Sequence, residues 1–175
     1  MADSDYTTKI VLLGEAGVGK TSLVYQFMEK KFRENYKQTL GVNLLKKDMH
    51  IEGYGGVSAQ IWDLGGQEPF KSLRRLYLEG ANGGLLIFDL TERNSFDKLP
   101  EWIESFKNAR GEQPLLLIGN KADLENQIKI SENEAGQFAS NNNMELVITS
   151  AKTGQNVEEV FNELTKRILD KMTNR

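Results

Sequence analysis

Four short, unbroken apolar runs punctuate the chain: Ile10-Val11-Leu12-Leu13, Leu85-Leu86-Ile87-Phe88, Leu115-Leu116-Leu117-Ile118 and Leu146-Val147-Ile148. Runs of this length without polar alternation fit strands buried on both faces, as in a parallel sheet. Helix-period stretches lie between and after them. Val157, Val160, Phe161, Leu164, Ile168 and Leu169 fall on one helical face. Leu23, Val24, Phe27 and Met28 form a second stripe, and Leu99, Trp102, Ile103 and Phe106 a third. Pro100 then belongs in the first turn of its helix, because an interior proline would break it. Residues 42–62 differ: Val42 to Ile51 and Val57 to Trp62 predict two strands around a short glycine-rich link. So short a link permits only an antiparallel hairpin. The pattern predicts an α/β architecture, a mostly parallel sheet with one antiparallel edge strand and helices on both faces. No repeat, linker or low-complexity segment interrupts it, so one domain over residues 1–175 is expected.

Composition narrows the chemistry. The 175 residues include 22 Lys plus Arg and 25 Asp plus Glu, for a net charge of −3. A nucleic-acid binder that neutralises phosphates wants a basic face, so no nucleic-acid partner is expected. Cysteine is absent. Disulfides, thiolate ligands and cysteine-linked lipids are thereby excluded, and Ala2 excludes N-myristoylation. The acidic, polar start lacks the apolar core of a secretory signal, and no apolar run is long enough to span a bilayer. A cytoplasmic, monomeric protein without its own lipid anchor is the expectation. His50 is the only histidine, which rules out a His cluster or a Ser-His-Asp triad within the chain. Trp102 and Phe106 are expected in the core, and Asp89 as a cap for the turn beginning at Thr91.

Gly14-Glu15-Ala16-Gly17-Val18-Gly19-Lys20-Thr21 matches G-x-x-x-x-G-K-[ST] between a strand and an amphipathic helix, the context this motif requires. Glycines let the backbone curl so that successive N–H groups converge on phosphate oxygens. The helix N-terminus adds a favourable dipole. Lys20 supplies a positive charge for the β- and γ-phosphates, and the Thr21 hydroxyl can ligate Mg²⁺. The loop specifies nucleoside-phosphate chemistry without choosing between an NTPase and a kinase.

The predicted hairpin ends Ile61-Trp62-Asp63-Leu64-Gly65-Gly66-Gln67-Glu68. A carboxylate at the tip of a strand beside the phosphate loop is suited to Mg²⁺, which puts Asp63 in the metal set. Gly66 could bring its N–H to a γ-phosphate, and Gln67 could orient an attacking water. Taken alone, Asp-x-x-Gly is also the spelling of an ordinary turn.

Together with Asn120-Lys121-Ala122-Asp123 and Ser150-Ala151-Lys152, these motifs make the chain resemble a small GTPase of the Ras superfamily, most similar to the Rab branch, from Lys9 to about Lys171. The resemblance implies the three-layer P-loop small-GTPase fold with a six-stranded sheet, GTP or GDP with Mg²⁺ as ligands, and slow hydrolysis of GTP to GDP. It implies a nucleotide-binding set of Ala16, Gly17, Val18, Gly19, Lys20, Thr21, Ser22, Phe32, Tyr36, Thr39, Gly66, Asn120, Lys121, Asp123, Ser150, Ala151 and Lys152. Thr39 takes the family position that joins Thr21 and Asp63 on Mg²⁺, and Gln67, Lys20 and Thr39 form the catalytic set. Phe32 matches the aromatic at the guanine edge, and Tyr36 a residue that closes over the phosphates. Asp123 would accept from the guanine N1–H and 2-amino group. Adenine lacks that donor pair and would leave a buried carboxylate unpaired. Asn120 would tie the loops together, the Lys121 stem would lie along the base, and the Ala151 N–H would meet guanine O6. Exchange factors, GTPase-activating proteins, effectors and a role in membrane trafficking follow by the same resemblance.

The pattern also departs from Rab usage. Leu64-Gly65 stands where Thr-Ala is usual, the Gly65-Gly66 pair is shared with the Arf branch, and Pro69 stands where arginine is common. Ala16 replaces the glycine of Ras proteins, a change the Rab branch tolerates. The prenylated tail of Rab proteins has no counterpart in these 175 residues. Arg33 has no established register as an arginine finger, and Arg74 and Arg75 are expected to face partners. Two rival classes stay open at this stage: a nucleotide-dependent scaffold that hardly turns over, and a P-loop kinase. Retention of GTP would mark the first, and ATP competing as well as GTP the second.

Overall fold

Alternation along strand β1 (Tyr6–Leu13) explains why the apolar runs are continuous. Ile10 and Leu12 enter one core cluster while Val11 and Leu13 enter the other. The computed structural model describes residues 4–32, 42–64 and 73–175. Within them β1 is followed by α1 (Lys20–Glu29), β2 (Val42–Ile51), β3 (Gly55–Leu64) and α2 (Arg74–Leu78). Next come β4 (Gly83–Asp89), α3 (Arg93–Asp97), α4 (Leu99–Arg110), β5 (Leu115–Asn120), α5 (Glu132–Asn141), β6 (Glu145–Ile148) and α6 (Val157–Met172).

The six strands form one sheet in the order β2-β3-β1-β4-β5-β6. All neighbours are parallel except β2 and β3, whose antiparallel register runs from Val42 opposite Leu64 to Ile51 opposite Gly55. Helices α1 and α6 cover one face, where Phe27 and Phe161 stack with ring centroids 4.1 Å apart. Residues of α2, α3, α4 and α5 cover the other. This is the expected three-layer α/β arrangement.

Several details differ from the sequence expectation. The hairpin link is tighter, because β3 already starts at Gly55 and Tyr54 is buried rather than presented to solvent. Strand β6 forms the outer edge of the sheet and is only half-buried, so its apolar run does not mark a strand enclosed on both faces. Helix α5 has no counterpart among the predicted stripes, since only Ala135 and Ala139 are buried on it. Its start is nevertheless spelled out: the Ser131 side chain accepts from Glu134 N at 3.0 Å, as an N-cap does. Pro100 sits in the first turn of α4 as expected, and Trp102 and Phe106 are buried in the core.

Candidate functional site

Loops that follow β1, β5 and β6 converge with the end of β3 at the C-terminal edge of the sheet, where open α/β folds bind ligands. The phosphate loop leaves β1 at Gly14 with φ +146°, and a Cβ there would lie 2.2 Å from the Ile87 carbonyl oxygen. Only glycine lets the loop pass so close to β4. At Gly19, φ is +100° and a Cβ would lie 2.3 Å from Asn120 Nδ2. Glycine is thus what brings this loop onto the residue that holds it.

That residue is Asn120, the last of β5, which is 1% exposed. Its amide nitrogen donates to the Val18 carbonyl at 2.9 Å, and its amide oxygen accepts from Thr149 Oγ1 at 3.0 Å and Ala151 N at 3.3 Å. One buried side chain therefore joins the phosphate loop, the end of β5 and the loop after β6. Thr149, which completes this set, was missed from sequence; its only signal is its place just before Ser150-Ala151-Lys152.

Lys121 adds a second tie. Its backbone is left-handed (φ +71°), and its Nζ donates to the Gly17 carbonyl at 2.8 Å while pairing with Asp89 Oδ2 at 2.8 Å. Asp89 caps the turn at Thr91 as expected, accepting from its N–H and hydroxyl, and also anchors this lysine. Asp123 is half-buried, and its Oδ1 accepts from Ser150 Oγ at 2.7 Å. Ser150 is buried, whereas Lys152 is exposed.

Lys20 opens α1 with its ammonium buried, donating to the carbonyls of Gly14 at 2.7 Å and Glu15 at 2.9 Å. Burial pushes its pKa down to about 8, opposed by the carboxylates of Asp63 and Glu15 and aided by Arg74. An ammonium held at such cost is poised for an anion. Next to it, Thr21 Oγ1 donates to Asp63 Oδ2 at 2.5 Å. A hydroxyl and a buried carboxylate make a hard-oxygen pair, and no cluster of three His, Cys, Asp or Glu exists among the described residues. Mg²⁺ is the cation such a pair suits, because it commonly binds one or two carboxylates and takes its other ligands from phosphates and water.

Ala16 and Gly17 are exposed on the loop, Val18 is buried, and Ser22 and Phe32 are half-buried, Phe32 against the α1–α6 side of the core. Arg33, Tyr36, Thr39, Gly65, Gly66, Gln67 and Pro69 lie outside the described residues. One expectation is corrected. Arg75 is exposed, but Arg74 turns inward and is buried with its guanidinium over Trp102. A buried, desolvated indole offers a cation a better site than a partner-facing surface does.

Residues 9–170 match the Ras family. The chain belongs to the Ras family. It is 39% identical to Ras-related protein Rab-4A of Mus musculus over 169 residues, 96% of this chain and 77% of that protein. To Ras-related protein Rab-13 of Mesocricetus auratus it is 38% identical over 166 residues, 94% of this chain and 81% of that one. As a Ras-family GTPase of Rab type it binds GTP and GDP with Mg²⁺, hydrolyses GTP to GDP and works as a nucleotide-dependent switch. Exchange factors, GTPase-activating proteins and effectors are the partners of such switches. Among the described residues no helix is long and apolar enough to cross a membrane.

Replacing Gly19 by alanine in this Ras-family loop would drive a methyl into the Asn120 amide. Losing the Val18 bond and straining a left-handed backbone should together cost about 2–4 kcal/mol of nucleotide binding, or roughly 30- to 1000-fold. GDP affinity by isothermal titration checks this, and a change within threefold would show that the loop does not depend on the contact.

Proposed function

We propose that this chain is a Rab-like switch of membrane trafficking, a cytoplasmic monomer whose residues 1–175 act as one guanine-nucleotide domain. The single observation that carries the reading is the Asn120 side chain, bonded at once to Val18, Thr149 and Ala151. A side chain so placed makes phosphate and base recognition one site. The phosphate loop from Ala16 to Ser22 would wrap the phosphates with its N–H groups, and Lys20 would balance their charge. Asp123, held by the Ser150 hydroxyl, would accept from the guanine N1–H and 2-amino group. The Lys121 stem, stretched between Gly17 and Asp89, would lie along the base, with Ala151, Lys152 and Phe32 completing its pocket.

Thr21 and Asp63 would hold Mg²⁺, joined by Thr39. Bound there, the ion would offset charge on the β- and γ-phosphates. Tyr36, Thr39, Gly66 and Gln67 carry their roles by their match to the family motifs: Thr39 and Gly66 sense the γ-phosphate, Tyr36 covers it, and Gln67 orients the water that attacks it. Loss of the γ-phosphate would release these contacts, which is what effectors read.

The Arg74 guanidinium stacks on Trp102 and donates to Ser105. By the family match hydrolysis should be slow alone, and an arginine from an activating protein should raise it by roughly 10³–10⁵.

The experiment is to denature the purified protein and identify the nucleotide it retained by ion-exchange chromatography. Guanine nucleotide, mainly GDP, is expected; adenine nucleotide would overturn the base assignment. A Gln67→Leu variant should bind GTP within about threefold of the unaltered chain yet lose 10-fold or more in single-turnover hydrolysis, given the general size of water-positioning effects. An unchanged rate would remove Gln67 from the mechanism.

A further inference from the structure

The nucleotide-binding motifs do not account for a set of contacts that runs from the phosphate loop to α2. Glu15 directs its carboxylate at α4, where Oε1 accepts from Trp102 Nε1 at 3.0 Å. On the face of the same indole lies the Arg74 guanidinium, 3.6 Å from the ring centroid. Arg74 is the first residue of α2, is itself buried, and donates from Nη1 to Ser105 Oγ at 3.2 Å. Phosphate loop, α4 and α2 are thereby joined through one indole that is 1% exposed.

The chemistry of the bridge is cooperative. A carboxylate pulling on the indole N–H adds electron density to the ring, which strengthens its hold on a cation across its face. Guanidinium is the cation for this place, since it stacks flat and is weakly hydrated. Both ends also bear on Lys20. The Glu15 carboxylate favours the Lys20 charge and Arg74 opposes it, while the Glu15 backbone carbonyl is one of the two that hold the Lys20 ammonium.

We infer that Glu15, Trp102 and Arg74 are positioning residues that couple phosphate occupancy of the loop to the seating of α2. The inference rests on the nucleotide site proposed above. A phosphate that draws on Lys20 draws on the Glu15 segment bonded to it, and a close-packed indole transmits the displacement instead of absorbing it. Coupling is reciprocal, so releasing Arg74 from the ring must change how strongly the loop prefers a triphosphate over a diphosphate.

The chain has two tryptophans, so Trp62→Phe leaves Trp102 as the only indole emitter. Loaded with GDP or with a non-hydrolysable GTP analogue, this variant should give two distinct Trp102 emission spectra. Arg74→Gln should erase the difference and shift the ratio of analogue to GDP affinity by about 5- to 50-fold, within the usual span of coupling between sites. Glu15→Ala should do the same, and the double variant should be no worse than either alone. Glu15→Gln, which keeps an oxygen for the indole N–H but loses the charge, should restore the coupling only in part.

Identical Trp102 spectra in the two states would overturn the proposal. So would an Arg74→Gln protein that melts earlier but keeps the affinity ratio within twofold, because a purely structural contact does just that. Should Trp62→Phe fail to fold, 5-fluorotryptophan labelling reads both indoles by ¹⁹F NMR, with Trp102 assigned by its absence from Trp102→Phe. Failure of the unaltered chain to bind either nucleotide would strike at the nucleotide site itself, an outcome distinct from normal binding with an unresponsive Trp102.

Discussion

The architecture of the site depends on one buried amide. Parallel strands of a six-stranded sheet end at a common edge, but that topology alone leaves the loops beyond them free to diverge. Asn120 closes the gap between three of them, using its nitrogen for the phosphate loop and its oxygen for the loop after β6. A primary amide carries its donor and its acceptor on two separate atoms of one short, rigid end, so each can serve a different loop. Aspartate would lose the donor to Val18, and leucine would strand Thr149 and Val18 as buried polar groups without partners. Lys121 reinforces the joint from the next position, clamped between Gly17 and Asp89. Consecutive residues of one strand end thus set the distance between the part of the ligand that carries charge and the part that carries identity.

The phosphate side of the site runs against folding stability. Lys20 is buried as an ammonium with two carbonyls for company, and burial lowers its pKa to about 8. Because the folded value lies below the unfolded one, the cost of burying the charge is present in full below about pH 8 and fades as pH rises toward 10.5. An anion in the loop removes that cost at neutral pH. Thr21 and Asp63 stand beside it as a hard-oxygen pair suited to the Mg²⁺ that accompanies a nucleotide. The Arg74–Trp102–Glu15 bridge extends this arrangement away from the nucleotide, placing a second cation behind the loop.

Much of this was legible in the sequence, for physical reasons that differ by element. Strands β1, β4 and β5 announce themselves because enclosure on both faces demands unbroken apolar runs. The phosphate loop is legible because its two close approaches, at Gly14 and Gly19, admit no side chain. Helix α5 was not, since a helix that buries only two alanines has a stripe too thin to register, although Ser131 and Glu134 spell its cap. The edge position of β6 cannot be read from its own residues, because what lies beside a strand is decided by the whole topology. Arg74 misled for a related reason: an arginine in a polar stretch reads as surface, and the indole that buries it lies 28 positions on at Trp102. Likewise nothing local in Asp89 shows that it anchors Lys121. Interactions between distant segments are visible only once the fold brings them together.

Asn120 makes three loops one site. Amide hydrogen exchange of the unaltered chain and of Asn120→Ala, both followed across residues 14–21, 121–123 and 150–152, tests it most directly. All three segments are expected to lose protection together in the variant while β1, β4 and β5 keep theirs. Loss confined to the neighbourhood of residue 120, with residues 14–21 protected as before, would contradict it.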